Sequence, residues 1–513
     1  MSRLLSTPRQ TKLTGLTLLV AGLGCLTGAG LGFLAGINAL YMVVFLVALG
    51  GLFLVCQKFE TAVIALLIVR SALGCFEVFQ LPAVFAIGLD VLTIGYIILC
   101  WLRREKVVTD RFWFFFAGWV AVQAIWVVLP ALGALPDTLS PFSFGTSLRE
   151  WIRLFSTLLL YLLVMQLQDK IHPERIVNAL FFGLIAPLSV AALQIVAPPS
   201  MLPEVFQPTG LIFTDVLRLD GTMGHPNDFA VFLFLFMSLT LWKMRHADRK
   251  WPWTILLCVL AFFLVSTQTM VVLGMTSVFV LLFFSYRANV TKIALGVVLV
   301  VTVIGLYAAT GAGQERLASI AETPLLDPNM DISRSILLSW KVPNSFNWRL
   351  AQWTFLLDAW QQSPWLGYGL HTAAYLTLFE KVAHNDYVRA IVEQGIVGLG
   401  LFLMFWIAQA GWLMQVFKRA RPGSQQQSLS FALLAILFAL LLGMATENIW
   451  NQTIIFFYWW VLFVIVRWDW DAPLTAELGP LESGPLESGP LGLTASDSTN
   501  LDSTIQQQVN HAG

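Results

Sequence analysis

The residues able to do chemistry in this chain are few, and they are bunched. The segment HNDYVRAIVE places His384, Asn385, Asp386, Arg389 and Glu393 at the start of an almost uncharged stretch. A neutral imidazole there can take a proton from a hydroxyl, the usual task of a general base near neutral pH. Asn385 and Asp386 stand ready to orient the ring or a bound acceptor; a capping or packing histidine is the plain alternative. Arg218 precedes LDGTMGHPNDFA, with His225, Pro226, Asn227 and Asp228, while Arg349 opens RLAQWTFLLDAW and Arg149 and Arg153 flank Glu150. Guanidinium groups suit phosphate because their forked donors bind two oxygens at once. Snorkelling to an interface, or pairing with Glu150, Asp215, Asp220 or Glu393, would account for any single arginine. His225 before Pro226 also reads as a helix start, with Asn227 or Asp228 meeting free backbone donors. His172, His246 and His511 fall in short loops or the tail, and His371 has no evident companion.

The elements that must position these groups are membrane helices. The chain is 57% hydrophobic and 12% charged, and apolar runs recur near 13–30, 37–56, 61–76, 83–101, 112–129, 150–167, 176–197, 228–243, 252–267, 270–286, 293–310, 387–416, 429–447 and 450–467. This predicts an all-α, polytopic transmembrane bundle of about 12 to 14 spans. Residues 266–269 then form a very short turn. A net charge of zero points to no nucleic-acid partner, and the five cysteines lie in apolar runs, with neither a disulfide framework nor a metal knuckle indicated. Arg3, Arg9 and Lys12 before the first run mark it as a retained anchor.

Threading the chain in and out from a cytoplasmic N-terminus collects most of the 30 basic residues on one face, as the positive-inside rule requires. The C-terminus is then also cytoplasmic. Three segments depart from the apolar pattern on the opposite, outer face: about 130–149, 198–227 and 311–386. The last is too long for a bare connector, and Trp348, Leu350, Trp353, Leu356, Leu357 and Trp360 are spaced like an amphipathic helix lying on the membrane surface. The expected division is a membrane body over 1–470 and a disordered tail over 471–513, where LGPLESGPLESGPLG repeats. The Asp-x-Asp pair Asp469 and Asp471 falls at the inner end and reads as a solvated helix terminus, so no metal is called for.

On these residues the chain resembles the O-antigen ligase and polymerase superfamily. HNDYVRAIVEQGIVGLG is similar to its signature, in which a His-Asn pair is followed by an apolar helix with Glu393, Gly395 and Gly398. RLAQWTFLLDAWQQSPWLGYGL resembles the preceding block, with Arg349, Pro364, Gly367 and Gly369, and RLDGTMGHPNDFAVF the other outer-loop block, with Arg218, Gly221, Gly224, Pro226 and Asn227. The similarity spans about residues 210–450. It implies an enzyme of the bacterial inner membrane that moves a glycan from undecaprenyl pyrophosphate, at the periplasmic face, to a hydroxyl on lipid A core, another glycan or a protein. His384 would be the base. Arg218, Arg349, Arg149, Arg153 and Arg389 would bind the pyrophosphate, with His225, Asn227, Asn385, Asp386 and Glu393 in support and no cofactor. Many members carry Ser-Arg in the turn that here reads STQTM, which removes one candidate phosphate ligand. Two alternatives stand beside this reading: a transporter, for example of bicarbonate, which paired repeats and helices broken near the midplane would favour, and a flippase for lipid-linked sugar, which needs an inner polar cavity.

Overall fold

The computed structural model describes residues 58–136, 143–208, 218–285, 290–309, 311–321, 323–324, 327, 329–339, 345–377 and 381–471. The runs expected at 13–30 and 37–56, Asp215, and the tail beyond residue 471 lie outside them. Regular structure among the described residues is entirely helical. The helices are α1 (Phe59–Val69), α2 (Leu81–Arg103), α3 (Arg111–Gln123), α4 (Ile125–Ala131), α5 (Ser143–Met165), α6 (Pro173–Leu180), α7 (Ile185–Val196), α8 (Pro226–His246), α9 (Trp251–Ser266), α10 (Met270–Ser285), α11 (Val290–Ala309), α12 (Gly311–Ala321), α13 (Ile332–Ser339), α14 (Ser345–Trp360), α15 (Asp386–Arg419), α16 (Gln425–Gly443) and α17 (Thr453–Ile465).

Six stretches among the described residues are long and apolar enough to cross a membrane: Leu81–Arg103, Arg111–Ala131, Pro173–Val196, Pro226–His246, Asp386–Arg419 and Gln425–Gly443. Trp251–Ser266, Met270–Ser285 and Thr453–Ile465 are shorter apolar helices. The chain is an integral membrane protein. Helix α2 shows why: Val84, Ile87, Val91, Ile94, Ile98 and Trp101 form an exposed stripe at helical spacing along it, stable only where hydrocarbon replaces water. In contrast α8, α16 and α17 are apolar all round and mostly buried, so they form the middle of the bundle. Around them α10 and α15 pack on α16, and α5 packs on α17, α2 and α3.

Two expectations change in detail. The run at 61–76 is not one helix, because α1 stops at Val69 and the backbone continues as tight turns over Arg70–Ala72 and Gly74–Phe79. The buried Arg70 guanidinium turns inward there, and its Nη2 lies 2.8 Å from Thr453 Oγ1; a charge in an apolar layer has to find a polar partner inside the bundle. The run at 387–416 is also interrupted, since Gly395 in α15 has φ 66 and ψ −169. The segment 364–369 fills the gap. Tyr368 and Gly369 donate to the Glu393 carbonyl at 3.0 and 2.8 Å, and Ile396 donates to the Pro364 carbonyl at 2.9 Å. A Cβ on Gly395 would lie 2.1 Å from the Trp365 backbone, and one on Gly367 2.4 Å from that of Glu393. Both glycines are therefore required by contact as well as by φ.

The segment 311–386 carries α12, α13 and α14. The last packs against α15, with Trp353 Nε1 donating to the Ala383 carbonyl at 2.6 Å and Gln352 donating to that of Lys381. Leu356 is buried with Tyr368, Ala373, Ala383 and Val392, so α14 rests its apolar face on the protein's own loop.

Candidate active site

One end of the bundle gathers the polar residues singled out above, and the connector between α16 and α17 is their meeting point. Glu447, in the sequence TENIWNQ, is nearly fully buried and accepts from three segments far apart in the chain. His384 Nδ1 is 2.8 Å from its Oε1; Arg349 Nη2 and Asn227 Nδ2 are 3.2 and 2.6 Å from its Oε2. Arg349 Nη1 also donates to the Thr446 carbonyl at 2.8 Å. Burial alone would raise the Glu447 carboxyl, but the His384 hydrogen bond, the charges of His384 and Arg349, and the Asn448 N–H outweigh it and hold the group down to about 2.

That ionised carboxylate decides the histidine's tautomer. Since it can only accept, the proton of a neutral His384 must sit on Nδ1, leaving the Nε2 lone pair available. Among the described residues nothing bonds to Nε2, and the side chain is 21% exposed. His384 has φ 48, a left-handed conformation that costs a non-glycine residue roughly 1–2 kcal/mol. The Glu447 bond and the Trp348 ring, edge-on at 5.5 Å, hold it there. Immediately afterwards Asn385 caps α15 by accepting from Tyr387 and Val388 N–H, both at 3.0 Å, which aims the His384 backbone at the connector.

Arg218 joins the same cluster through Asn227, whose Oδ1 accepts from Arg218 Nη2 at 3.1 Å. Its Nε donates to the Thr267 carbonyl at 3.0 Å and Nη2 reaches Thr269 Oγ1 at 3.3 Å. The short turn that lacks an arginine of its own is thus held by Arg218. His225 caps α8 with its own ring, Nδ1 accepting from Asn227 N–H at 3.1 Å; neither Asn227 nor Asp228 takes that role.

The remaining arginines form a second, more enclosed network. Arg153 grips Glu150 with Nε at 2.8 Å and Nη2 at 2.5 Å, and donates to the Trp450 carbonyl at 2.9 Å. Arg389 is buried, 3.5 Å from Asp386 and 3.9 Å from Glu150, and donates to Asn451. Fully buried Asp386 accepts from the Trp450 N–H at 2.8 Å. Glu393 accepts from the backbone of His371 and Ala373 at 2.8 and 3.3 Å, and so clamps the loop that fills the α15 break. Burial, opposed by the Glu150 carboxylate, pushes the His371 imidazole below its usual range. Arg149 is exposed, with no acceptor among the described residues. The structure therefore brings His384, Arg349, Arg218 and Asn227 together, and gives Arg153, Arg389, Asp386 and Glu393 protein partners. What sequence reading missed was Glu447. Its signal was present: it is the only acidic or basic residue between positions 425 and 466, in a polar interruption of two apolar runs.

No curated protein matches the chain. Residues 253–403, from α9 into α15, match the family model of O-antigen ligases; they include Arg349, His384, Asn385, Asp386, Arg389 and Glu393, while Arg218, Asn227 and Glu447 lie outside. This match supports the resemblance to the O-antigen ligase and polymerase superfamily over that part of the chain.

Proposed function

We propose that this protein transfers a glycan from undecaprenyl pyrophosphate to an acceptor hydroxyl at the outer, periplasmic face of the bacterial inner membrane. The observation that carries this reading is the convergence of His384, Arg349 and Asn227 on the buried Glu447 carboxylate. In the reaction the acceptor oxygen attacks the anomeric carbon, the bond from that carbon to the pyrophosphate oxygen breaks, and the hydroxyl proton moves to His384 Nε2. Glu447 fixes the ring and stabilises the imidazolium that forms. Arg349 and Arg218 offset the charge left on the polyprenyl pyrophosphate. The donor is already activated, so orientation, charge neutralisation and proton removal suffice.

Arg153 and Arg389 act through structure in this scheme, anchoring α5 and α15 to the connector, and Arg149 is left as an accessible charge at the rim. The break in α15 gives a transporter little support, because protein backbone fills it. The test is in vitro transfer with purified lipid-linked donor and acceptor, beside a separate donor-binding assay. His384→Ala should lower turnover by a factor of about 100 to 10,000 while donor still binds; near-normal transfer would sink the base assignment. The glycan profile of a deletion strain separates ligase, with no long chains on lipid A, from polymerase, with single repeat units attached.

A further inference from the structure

The end of the bundle opposite this cluster holds a cavity of about 150 Å³. It lies where α15, α16 and α17 finish or begin, and Trp412, Gln415, Arg419, Gln426 and Arg467 line it. Arg467 is preoriented: its guanidinium lies 4.1 Å from the centroid of the Trp412 ring and pairs with Asp110. That carboxylate is itself fixed by the Tyr161 hydroxyl at 2.8 Å and by capping α3. Arg419 is exposed and has no acceptor among the described residues. Two guanidinium groups against one carboxylate leave the cavity positive. Gln426 spends its amide N–H groups on the Val466 and Trp468 carbonyls, both at 2.9 Å, so it fixes the wall of the cavity and leaves anion binding to the arginines.

An apolar track leads to this cavity. Along α15 Met404, Ile407 and Met414 are exposed, Gly411 opens onto empty space, and the next turns bring Gln415 and Arg419. An apolar stripe on a membrane helix ending at paired arginines and a tryptophan matches an amphiphile with an anionic head. We propose that this cavity binds the phosphate of an anionic phospholipid from the leaflet at that end of the bundle, with an acyl chain along the Met404–Met414 face. Arg467, held by Asp110 and Trp412, presents a fixed fork, and Arg419 closes over the headgroup. This site is independent of the glycan-transfer reading.

The test titrates the full-length protein in detergent with dioleoyl phosphatidylglycerol or dioleoyl phosphatidylcholine, counting bound lipid by native mass spectrometry. Wild type should retain phosphatidylglycerol in preference. Arg419→Gln should weaken that binding about tenfold, the loss of one charge-assisted contact, and Arg419→Lys less. Arg249→Gln, an exposed charge on the loop after α8, should leave it unchanged. Inorganic phosphate should not displace the lipid at matching concentration; if it does, the site takes a free anion and the lipid assignment falls. Folded Arg419→Gln protein that keeps wild-type lipid affinity overturns the proposal, as does an equal loss in Arg249→Gln.

Discussion

Replacing Glu447 by glutamine removes one charge and almost no volume, which makes it the sharpest probe of the cluster. Both carboxylate oxygens now accept, Oε1 from His384 at 2.8 Å and Oε2 from Asn227 and Arg349 at 2.6 and 3.2 Å. Such charge-assisted contacts are each worth about 1.5–3 kcal/mol. The new amide can accept at one end only. Turning its NH2 toward Asn227 sets donor against donor, and Asn227 cannot flip because its Oδ1 already accepts from Arg218 and Thr269 at 3.1 and 3.2 Å. Keeping the oxygen toward Asn227 and the Arg349 charge gives up only the longer Asn448 N–H contact at 3.2 Å, so the NH2 faces His384, whose Nδ1 must become the acceptor, and the ring proton moves to Nε2. The base is then blocked while the charge cradle of Arg349 and Arg218 stays. Turnover should fall by about 100 to 10,000-fold, with donor binding changed far less, read by in vitro transfer beside a donor-binding assay. The pH dependence gives a second readout. With its carboxyl at about 2 against an ordinary 4.5, Glu447 contributes fully to stability above about pH 4.5 and progressively less as the pH falls toward 2. The thermal midpoint of wild type should drop across that window, and that of Glu447→Gln should drop less. Turnover in Glu447→Gln within about threefold of wild type would refute the tautomer argument.

Gly395→Ala should cost at least about 1–3 kcal/mol, because the new Cβ meets the Trp365 backbone at 2.1 Å; a lower thermal midpoint with the 364–369 segment opened to proteolysis is the expected result, and an unchanged midpoint would rule out the close contact. The arginines should separate by kind: Arg218→Ala should abolish donor binding in a well-expressed protein, with Arg218→Lys restoring it only in part. Arg389→Gln, which leaves the fully buried Asp386 without its charged neighbour, should instead cost about 3–5 kcal/mol of stability, seen as loss of folded protein on size exclusion.

The helical bundle was legible because apolar runs are long, and the described spans fall where hydropathy put them. His384, Arg349, Arg218 and Asn227 were legible for a related reason, since polar groups at the mouth of an apolar run stand out against their background. Glu447 was not, because a lone carboxylate at a run's end has no spacing partner in sequence; its partners come from positions 227, 349 and 384. The interruption at Gly395 was hidden too. A glycine inside an apolar pattern usually sits in an unbroken helix, and only the docking of the distant Pro364–Gly369 backbone makes this one take φ 66. The fates of Arg153 and Arg389 turned on burial, which one-dimensional pattern does not carry.

The position of the connector in chain order has a consequence for biogenesis. His384, Arg349, Arg218 and Asn227 all leave the ribosome before residues 444–452, which carry the carboxylate that organises them, and chains fold from the N-terminus as they are made. A nascent chain that has inserted α15 thus exposes the histidine and arginines without the group that sets the ring's tautomer. Only when α16 and α17 have entered the membrane, with the connector pinned between them, does the centre become complete. Under the proposed function, assembly order keeps the unfinished chain inert.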